Sequence, residues 1–276
     1  MKYQDSTKIV IKVGSALIAP SGNGCTAQYT LPIARFIHRC LADKKQVILV
    51  SSGSVAAGRN EIIYTDKWPT LAQKQAMAAI GQHAMMANWK RFFDEPCAQI
   101  LVTHADLKTP KSRANIRNTI NELIDNHVLP IVNENDSVAT EELKVGDNDQ
   151  LAAMMAILAD ADLFMICSDV DGLYTSDPKL DDLKQDDLKQ KKPAQRVDFV
   201  EKIDEKIIAL AGGTTNHIAT GGMQTKIDAA IKATNAGIAT LLFKGSLSEN
   251  FEQFIKGKQI GTLFKAQNTA LNAKNG

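Results

Sequence analysis

Six short runs of apolar, largely β-branched residues recur along the chain, at Ile9–Val13, Gln46–Val50, Gln99–Thr103, Leu129–Asn133, Leu163–Ser168 and Thr240–Phe243. They are too apolar to leave one face in water, as expected of strands in a parallel sheet covered by helices on both sides. Helical spacing fills the gaps, near 31–43, 70–93, 111–126, 148–160 and 223–236. In 148–160, Leu151, Met154, Met155 and Leu158 share one stripe. In 223–236, Ile227, Ala230, Ile231 and Thr234 do the same, with Gly237 as the stop. The alternation predicts an α/β fold: an open, mainly parallel β-sheet sandwiched between helices in three layers. Ligands of such sheets sit at the carboxyl ends of the strands, so the loops after strands are where chemistry is sought.

A chain of 276 residues can fill one large domain of this kind, and no Pro/Gly/Ser-rich linker divides it. A single domain over 1–276 is expected. Residues 179–192, KLDDLKQDDLKQKK, repeat DDLKQ in tandem and read as a solvated loop or helix face without chemistry. Lys and Arg number 32 against 31 Asp and Glu, a balance that gives no basic excess for nucleic acid or anionic lipid. Cys25, Cys40, Cys97 and Cys167 form no C-x-x-C pair, and the five histidines show no metal-ligand spacing. The amino terminus leads straight into a strand, and no apolar run approaches the roughly 18 residues that suggest a membrane span. A cytoplasmic protein with reduced, mostly packed thiols is expected.

Five stretches could carry chemistry. In IVIKVGSAL, Lys12 lies inside an apolar strand, where an ammonium must either escape to the wet end or meet an anion. Gly14 follows at once, where a backbone can approach a ligand. In LVSSGSVAAGRN, a strand ends at Ser51-Ser52-Gly53 and runs into an Ala-rich helical stretch. Its N–H groups suit a carboxylate or phosphate, although a helix cap by Ser51 or Ser52 is the plain alternative. Arg59-Asn60 after Gly58 rules out a Walker A loop. In 132–154 the strand opens into Glu134, Asn135 and Asp136, and Gly146, Asp147, Asn148 and Asp149 start a helix. Capping by Asp147 or Asn148 explains the second Asx cluster but not both.

In ICSDVDGLYTSDP a strand ends at Ser168-Asp169, where a nucleotide or a simple β-turn fits equally. Finally, TGGMQTK (220–226) places Lys226 in a first helical turn, where the helix dipole disfavours a cation unless an anion docks on the same N–H groups. No triad of Ser/His/Asp or Cys/His type can be assembled. The sum is anion-binding equipment without a general base, which suits phosphoryl transfer to an acceptor already ionised at neutral pH, such as a carboxylate.

VIKVGSAL, VSSGSVAAGR, INELIDNHVLPIVNENDSVAT, KVGDNDQLAAMMAILADAD, SDVDGLYTSDP and TGGMQTKIDAA together resemble the glutamate 5-kinase family of the amino acid kinase superfamily, over roughly residues 8–265. The resemblance implies ATP-dependent phosphorylation of the γ-carboxylate of L-glutamate to L-glutamyl 5-phosphate, the first step of proline synthesis. It assigns Lys12 and Lys226 to neutralising the transferring phosphoryl group and Asp149 to holding those lysines. Ser52, Gly53, Asp136 and Asn148 fall where the family binds glutamate, with Asp136 toward the α-ammonium. Lys12, Ser168, Asp169 and the loop Thr220, Gly221, Gly222, Met223, Gln224, Thr225 and Lys226 fall where it binds ATP. The glutamate part lies mainly in the N-terminal half and the ATP part mainly in 163–265. Mg²⁺ is expected to come with ATP, with no protein-held metal. The resemblance further implies proline as feedback inhibitor, a homodimer or homotetramer, and a product passed to glutamyl phosphate reductase.

Some positions depart from the family. Ala219 stands where many relatives have Gly, and Ser51 and Ser168 stand where many have Thr. Many bacterial relatives continue into an RNA-binding-like PUA domain, for which an end at residue 276 is too early, so none is expected. The rival readings are an amino acid kinase acting on aspartate or N-acetylglutamate, and a non-catalytic amino-acid sensor on the same fold. The 134–149 region favours free glutamate. Lys12, Lys226 and Asp149 are all present, which speaks against the sensor.

Overall fold

The structure, a computed structural model, describes residues 1–22, 24–62, 69–138, 148–176, 178, 193–211 and 222–267. The strands are β1 (Lys8–Val13), β2 (Gln46–Ser51), β3 (Cys97–Val102), β4 (Leu129–Glu134), β5 (Leu163–Ser168), β6 (Leu173–Tyr174), β7 (Arg196–Val197), β8 (Phe199–Val200), β9 (Ala239–Lys244) and β10 (Thr262–Phe264). Eight of them form one sheet in the order β3-β4-β2-β1-β5-β9-β10-β8, and β6 pairs with β7 separately. Every pairing in the large sheet is parallel except β9 with β10. The predicted α/β architecture is therefore the observed one.

The helices are α1 (Ser15–Ile18), α2 (Thr30–Ala42), α3 (Ser54–Gly58), α4 (Leu71–Lys90), α5 (Pro110–Asp125), α6 (Asn148–Leu158), α7 (Glu205–Ala211), α8 (Met223–Asn235) and α9 (Ser248–Ile255). Local chemistry fixes several starts. Thr70 and Gln73 exchange side-chain and backbone hydrogen bonds in a capping box before α4. Pro110 occupies the first turn of α5, where its missing N–H does no harm. Gly237, with φ 84°, and Gly257, with φ 75°, follow the ends of α8 and α9, whereas Lys44, His127 and Asp160 take the left-handed position after α2, α5 and α6.

Alternation along each strand divides the core between two faces. Ile9, Ile11 and Val13 of β1 pack with Ile33 and Ile37 of α2, Met85 and Trp89 of α4, and Phe251 and Phe254 of α9. Val10 of the same strand faces Leu151, Ala152 and Met155 of α6, Ile120 of α5, and Ile227 and Ala230 of α8. Lys12 shares Val10's parity and so points into the second layer. Strand β3 departs from the fully apolar expectation, with Leu101 38% exposed. It has β4 as its partner and sits at the sheet edge, so part of it remains in water. The elements not foreseen are short: α1, α7, α9, β6, β7, β8 and β10 offer too few residues for a periodic pattern.

Winding reverses at β1, which pairs with β2 on one side and with β5 on the other. Connections diverge there, and in open sheets of this kind the carboxyl ends of the strands at such a point, here β1 and β5, are where ligands bind. Among the described residues no helix is long and apolar enough to cross a membrane. The four cysteines are free thiols; Cys40 and Cys167 are buried, Cys25 and Cys97 partly so.

Candidate active site

Lys12 stands next to the last residue of β1, in register with Val50 of β2 and Ile166 of β5. It is 5% exposed, so its ammonium does not escape to water. It turns back over the chain, 3.8 Å from where a Cβ on Gly14 would sit. There it meets Asp149, Nζ to Oδ1 at 2.5 Å. Asp149 is 1% exposed and lies in the first turn of α6, where the helix dipole also favours a carboxylate. Its other oxygen, Oδ2, faces Lys226 Nζ at 3.5 Å and accepts a hydrogen bond from Thr225 Oγ1 at 2.9 Å. One carboxylate thus joins two buried ammoniums brought in from β1 and α8.

The electrostatics follow from that sharing. Burial pushes the Asp149 carboxyl up, but Lys12, Lys226 and the hydrogen bond from Thr225 outweigh it and hold the group below the ordinary carboxylate range. Lys226 is 6% exposed, and its burial lowers its affinity for a proton. Asp149 and Asp169 oppose that shift and Lys12 adds to it, with a net result below the ordinary lysine value. Two lysines converge on one buried carboxylate, with the charge of Asp169 also acting on Lys226, an arrangement of fixed charges that suits the positioning of a phosphate group.

The next residue along, Asn148, points the other way. Its Nδ2 donates to Ser52 Oγ at 2.9 Å and to Asn133 Oδ1 at 2.7 Å. Its side chain thereby ties the end of β2 to the end of β4 instead of capping α6. Asn148 Oδ1, Asn133 Nδ2 and Glu134 Oε1 are buried polar atoms with no hydrogen-bond partner among the described residues. The two Asn atoms belong to the pair that joins the ends of β2 and β4, while Glu134 Oε1 lies 3.7 Å from His104 Nδ1; unpartnered amide atoms at a strand end suit a polar ligand. Asp136, in the turn after β4, accepts from Ser54 Oγ at 2.5 Å. Burial raises its carboxyl's affinity for a proton, the Ser54 hydrogen bond lowers it, and the nearby Glu134 raises it again, with a net upward shift.

Helix α4 props this side of the site. Trp89 Nε1 donates to Ser51 Oγ at 2.9 Å, and Gln82 Nε2 reaches the Glu134 carbonyl at 3.4 Å. Ser51 and Ser52 do not cap α3; its N-cap is Gly53, with φ 101° and no side-chain cap bond. A positive φ of that size suits glycine and turns Ser52 away from the helix toward Asn148. On the opposite side, Ser168 closes β5 and donates to Asp169 Oδ1 at 3.0 Å. Helix α8 starts after Gly222, whose carbonyl lies 2.9 Å from Thr225 Oγ1 and shares that hydroxyl's one proton with Asp149.

The amino acid kinase family model matches residues 7–244, a span that takes in both lysines, Asp149 and both sides of the site. A glutamate 5-kinase of Idiomarina loihiensis is 49% identical over 274 residues, covering 99% of this chain and 71% of that protein. The chain belongs to the amino acid kinase family, in its glutamate 5-kinase branch. A glutamate 5-kinase of Salinibacter ruber is 48% identical over 272 residues, covering 98% of this chain and 70% of that one. Among solved structures, a carbamate kinase from Giardia lamblia bound to AMP-PNP superposes with a TM-score of 0.62 at 19% identity, covering 95% of this chain and 99% of that one. A UMP kinase from Bacillus anthracis gives 0.59 at 15% identity, covering 95% and 97%. At such identities these two speak for the shared amino acid kinase fold alone.

Within that family frame, the structure brings Lys12, Asp149, Thr225 and Lys226 into one cluster, and Ser52 and Asn148 into a second cluster that adjoins it through consecutive residues of α6. Asp136 contacts Ser54 rather than Ser52 or Asn148. Ser168 and Asp169 pair with each other, and Asp169 acts on Lys226 through its charge. Gly222 and Met223 begin α8, and Gln224 Nε2 donates along the helix to Asp228 Oδ1 at 2.8 Å. Thr220 and Gly221, with Ala219, lie outside the described residues, as do Gly146 and Asp147 and the DDLKQ repeat. Sequence reasoning missed Ser54, Asn133 and Gln82. No local signal singles out one hydroxyl or amide among many, and their partners lie far away in the chain.

Proposed function

We propose that this chain transfers the γ-phosphoryl group of ATP to the γ-carboxylate of L-glutamate, giving L-glutamyl 5-phosphate and ADP at the head of proline synthesis. The observation that carries the reading is Asp149 shared between Lys12 and Lys226, one residue from Asn148 and its bonds to Ser52 and Asn133. A γ-carboxylate oxygen attacks the γ-phosphorus, and the bond from that phosphorus to the β–γ bridging oxygen breaks, its electron pair leaving with ADP. The acceptor is ionised at neutral pH, so no base is required. Lys12 and Lys226 offset charge on the transferring group, and Asp149 holds both ammoniums in place. Mg²⁺ would come with ATP and offset phosphate charge, with no residue of the chain assigned to hold it.

Ser52, Gly53, Asn148 and Asp136 hold the amino acid in this reading, with Asp136 facing its α-ammonium. Ser168, Asp169 and residues 220–226 are assigned to the nucleotide in the same reading. Residues 1–276 act as a single amino acid kinase domain, assembled as a homodimer or homotetramer in the cytoplasm. L-Proline competes for the glutamate pocket, and the labile acyl phosphate passes to glutamyl phosphate reductase. Incubation with ATP, Mg²⁺, glutamate and hydroxylamine tests the core of this. γ-Glutamyl hydroxamate is the expected product; a far better reaction with aspartate or N-acetylglutamate would overturn the assignment.

A further inference from the structure

We propose that Ser54 is a positioning residue for the amino-acid substrate: its hydroxyl fixes the Asp136 carboxylate that receives the substrate's α-ammonium. The inference rests on the glutamate-binding reading given above. Ser54 Oγ donates to Asp136 Oδ2 at 2.5 Å across 82 positions of sequence, and the two residues are 3% and 8% exposed. A serine at the start of a helix usually spends its hydroxyl on the helix's own backbone. Here Gly53 is the N-cap, no side chain caps α3, and the Ser54 hydroxyl goes to a distant carboxylate instead.

The donor is held as firmly as the acceptor. Helix α3 lies flush on α4 through two glycines that permit backbone-to-backbone contact. A Cβ on Gly81 would sit 1.8 Å from the Ser54 carbonyl oxygen, and one on Gly58 would sit 2.0 Å from that of Met77. Contact this close leaves the Ser54 backbone little room to slide. Gln82, next to Gly81, reaches the Glu134 carbonyl, so α4 fixes both the serine and the strand end that leads to Asp136.

Removing the hydroxyl has two consequences for Asp136. The carboxylate loses its anchor, and its negative form loses a donor. Burial and the charge of Glu134 already favour the protonated form, and Ser54 opposes them. Behind Glu134 stands His104, its Nδ1 3.7 Å from Glu134 Oε1. These are the titratable groups that bear on Asp136 among the described residues. A protonated Asp136 cannot pair with an ammonium, so the loss of Ser54 weakens glutamate binding most at low pH.

The test is steady-state kinetics on the full chain. Ser54→Ala is expected to raise KM for glutamate about tenfold, the scale of one hydrogen bond to a charged group, while kcat changes within about twofold. KM for ATP is expected to stay put. The acid limb of kcat/KM for glutamate moves to higher pH, because a carboxyl without its donor protonates more readily. Ser54→Thr, which keeps the hydroxyl, returns the limb to its original position. In an Asp136→Ala background, Ser54→Ala adds nothing further to KM. If Ser54→Ala fails to accumulate as folded protein, Ser54→Cys, similar in size and a weak donor, is measured in its place. A wild-type KM and acid limb, a raised KM with the limb unmoved, or additive effects in the double variant would each overturn the proposal. A wild-type chain inert toward glutamate would instead overturn the function on which it rests.

Discussion

Asp149, in the first turn of α6, grips Lys12 of β1 at 2.5 Å with both side chains buried. The same carboxylate turns its second oxygen to Lys226 of α8 at 3.5 Å. The strand that carries Lys12 is the one at which the sheet's winding reverses, so two helices from the same face converge on its carboxyl end. Charge that would be costly anywhere else in the core is collected there.

Replacing Asp149 by Asn keeps the volume and leaves two buried ammoniums without their shared anion. Loss of one partner from a buried pair costs about 3–5 kcal/mol, to be read from urea unfolding at neutral pH. The pH dependence has a definite sign. Asp149's folded-state value lies below its ordinary 3.8, so its stabilisation is complete above 3.8 and is lost as pH falls from there through the lower folded value. The gap between wild type and Asp149→Asn should therefore close in that acid window. A gap that persists unchanged to the lowest accessible pH would contradict the pairing.

Lys226→Ala should lower kcat by about a hundredfold to a thousandfold, as for loss of one preorganised charge partner, with a much smaller rise in KM for glutamate. Saturation curves in both substrates separate the two effects. An unchanged kcat would remove Lys226 from the phosphoryl-transfer machinery.

Gly81→Ala tests the scaffold rather than the site. The new methyl would lie 1.8 Å from the Ser54 carbonyl oxygen, so α3 must lift from α4. Overpacking of this kind costs about 1–3 kcal/mol, visible as a lower urea midpoint. KM for glutamate should rise with it, since Ser54, the partner of Asp136, sits at that junction. Wild-type stability together with wild-type KM would show that the junction yields easily.

L-Proline carries an α-carboxylate and a secondary α-ammonium in place of glutamate's primary one, and should compete at the Asn148 and Asp136 side of the site. A glutamate titration is expected to shift to higher concentration at millimolar proline, with kcat recovered at saturation. No shift would argue against feedback control through this pocket.

Much of the fold could be read directly from local pattern. The strands Leu163–Ser168 and Gln46–Ser51 and the helix that begins at Asn148 follow from periodicity and flanking polar turns. Helix α9 and strand β10 did not, because eight and three residues carry too little period to stand out from loop. Lys12 was legible as an anomaly, a charge in an apolar run, but not its solution. A cap by Ser51 or Ser52 is the plain alternative that the sequence offers to an anion-binding junction; the structure gives the cap position to Gly53, and the two hydroxyls accept from Trp89 Nε1 and Asn148 Nδ2. Ser54 left no trace, since nothing near it in the chain predicts a carboxylate partner.

The sequence alone determined the layers of this protein and the residue types available for its chemistry. Apolar runs must be buried and polar turns must face water, and both follow from short-range order along the chain. Only the tertiary structure decided which charges meet. Lys12, Asp149 and Lys226 come from a strand and two helices separated by most of the chain, and their pairing depends on strand order, register and the close seating of helices on one sheet. A buried charge reaches its lowest free energy beside its opposite, yet no local rule states which opposite the fold will deliver.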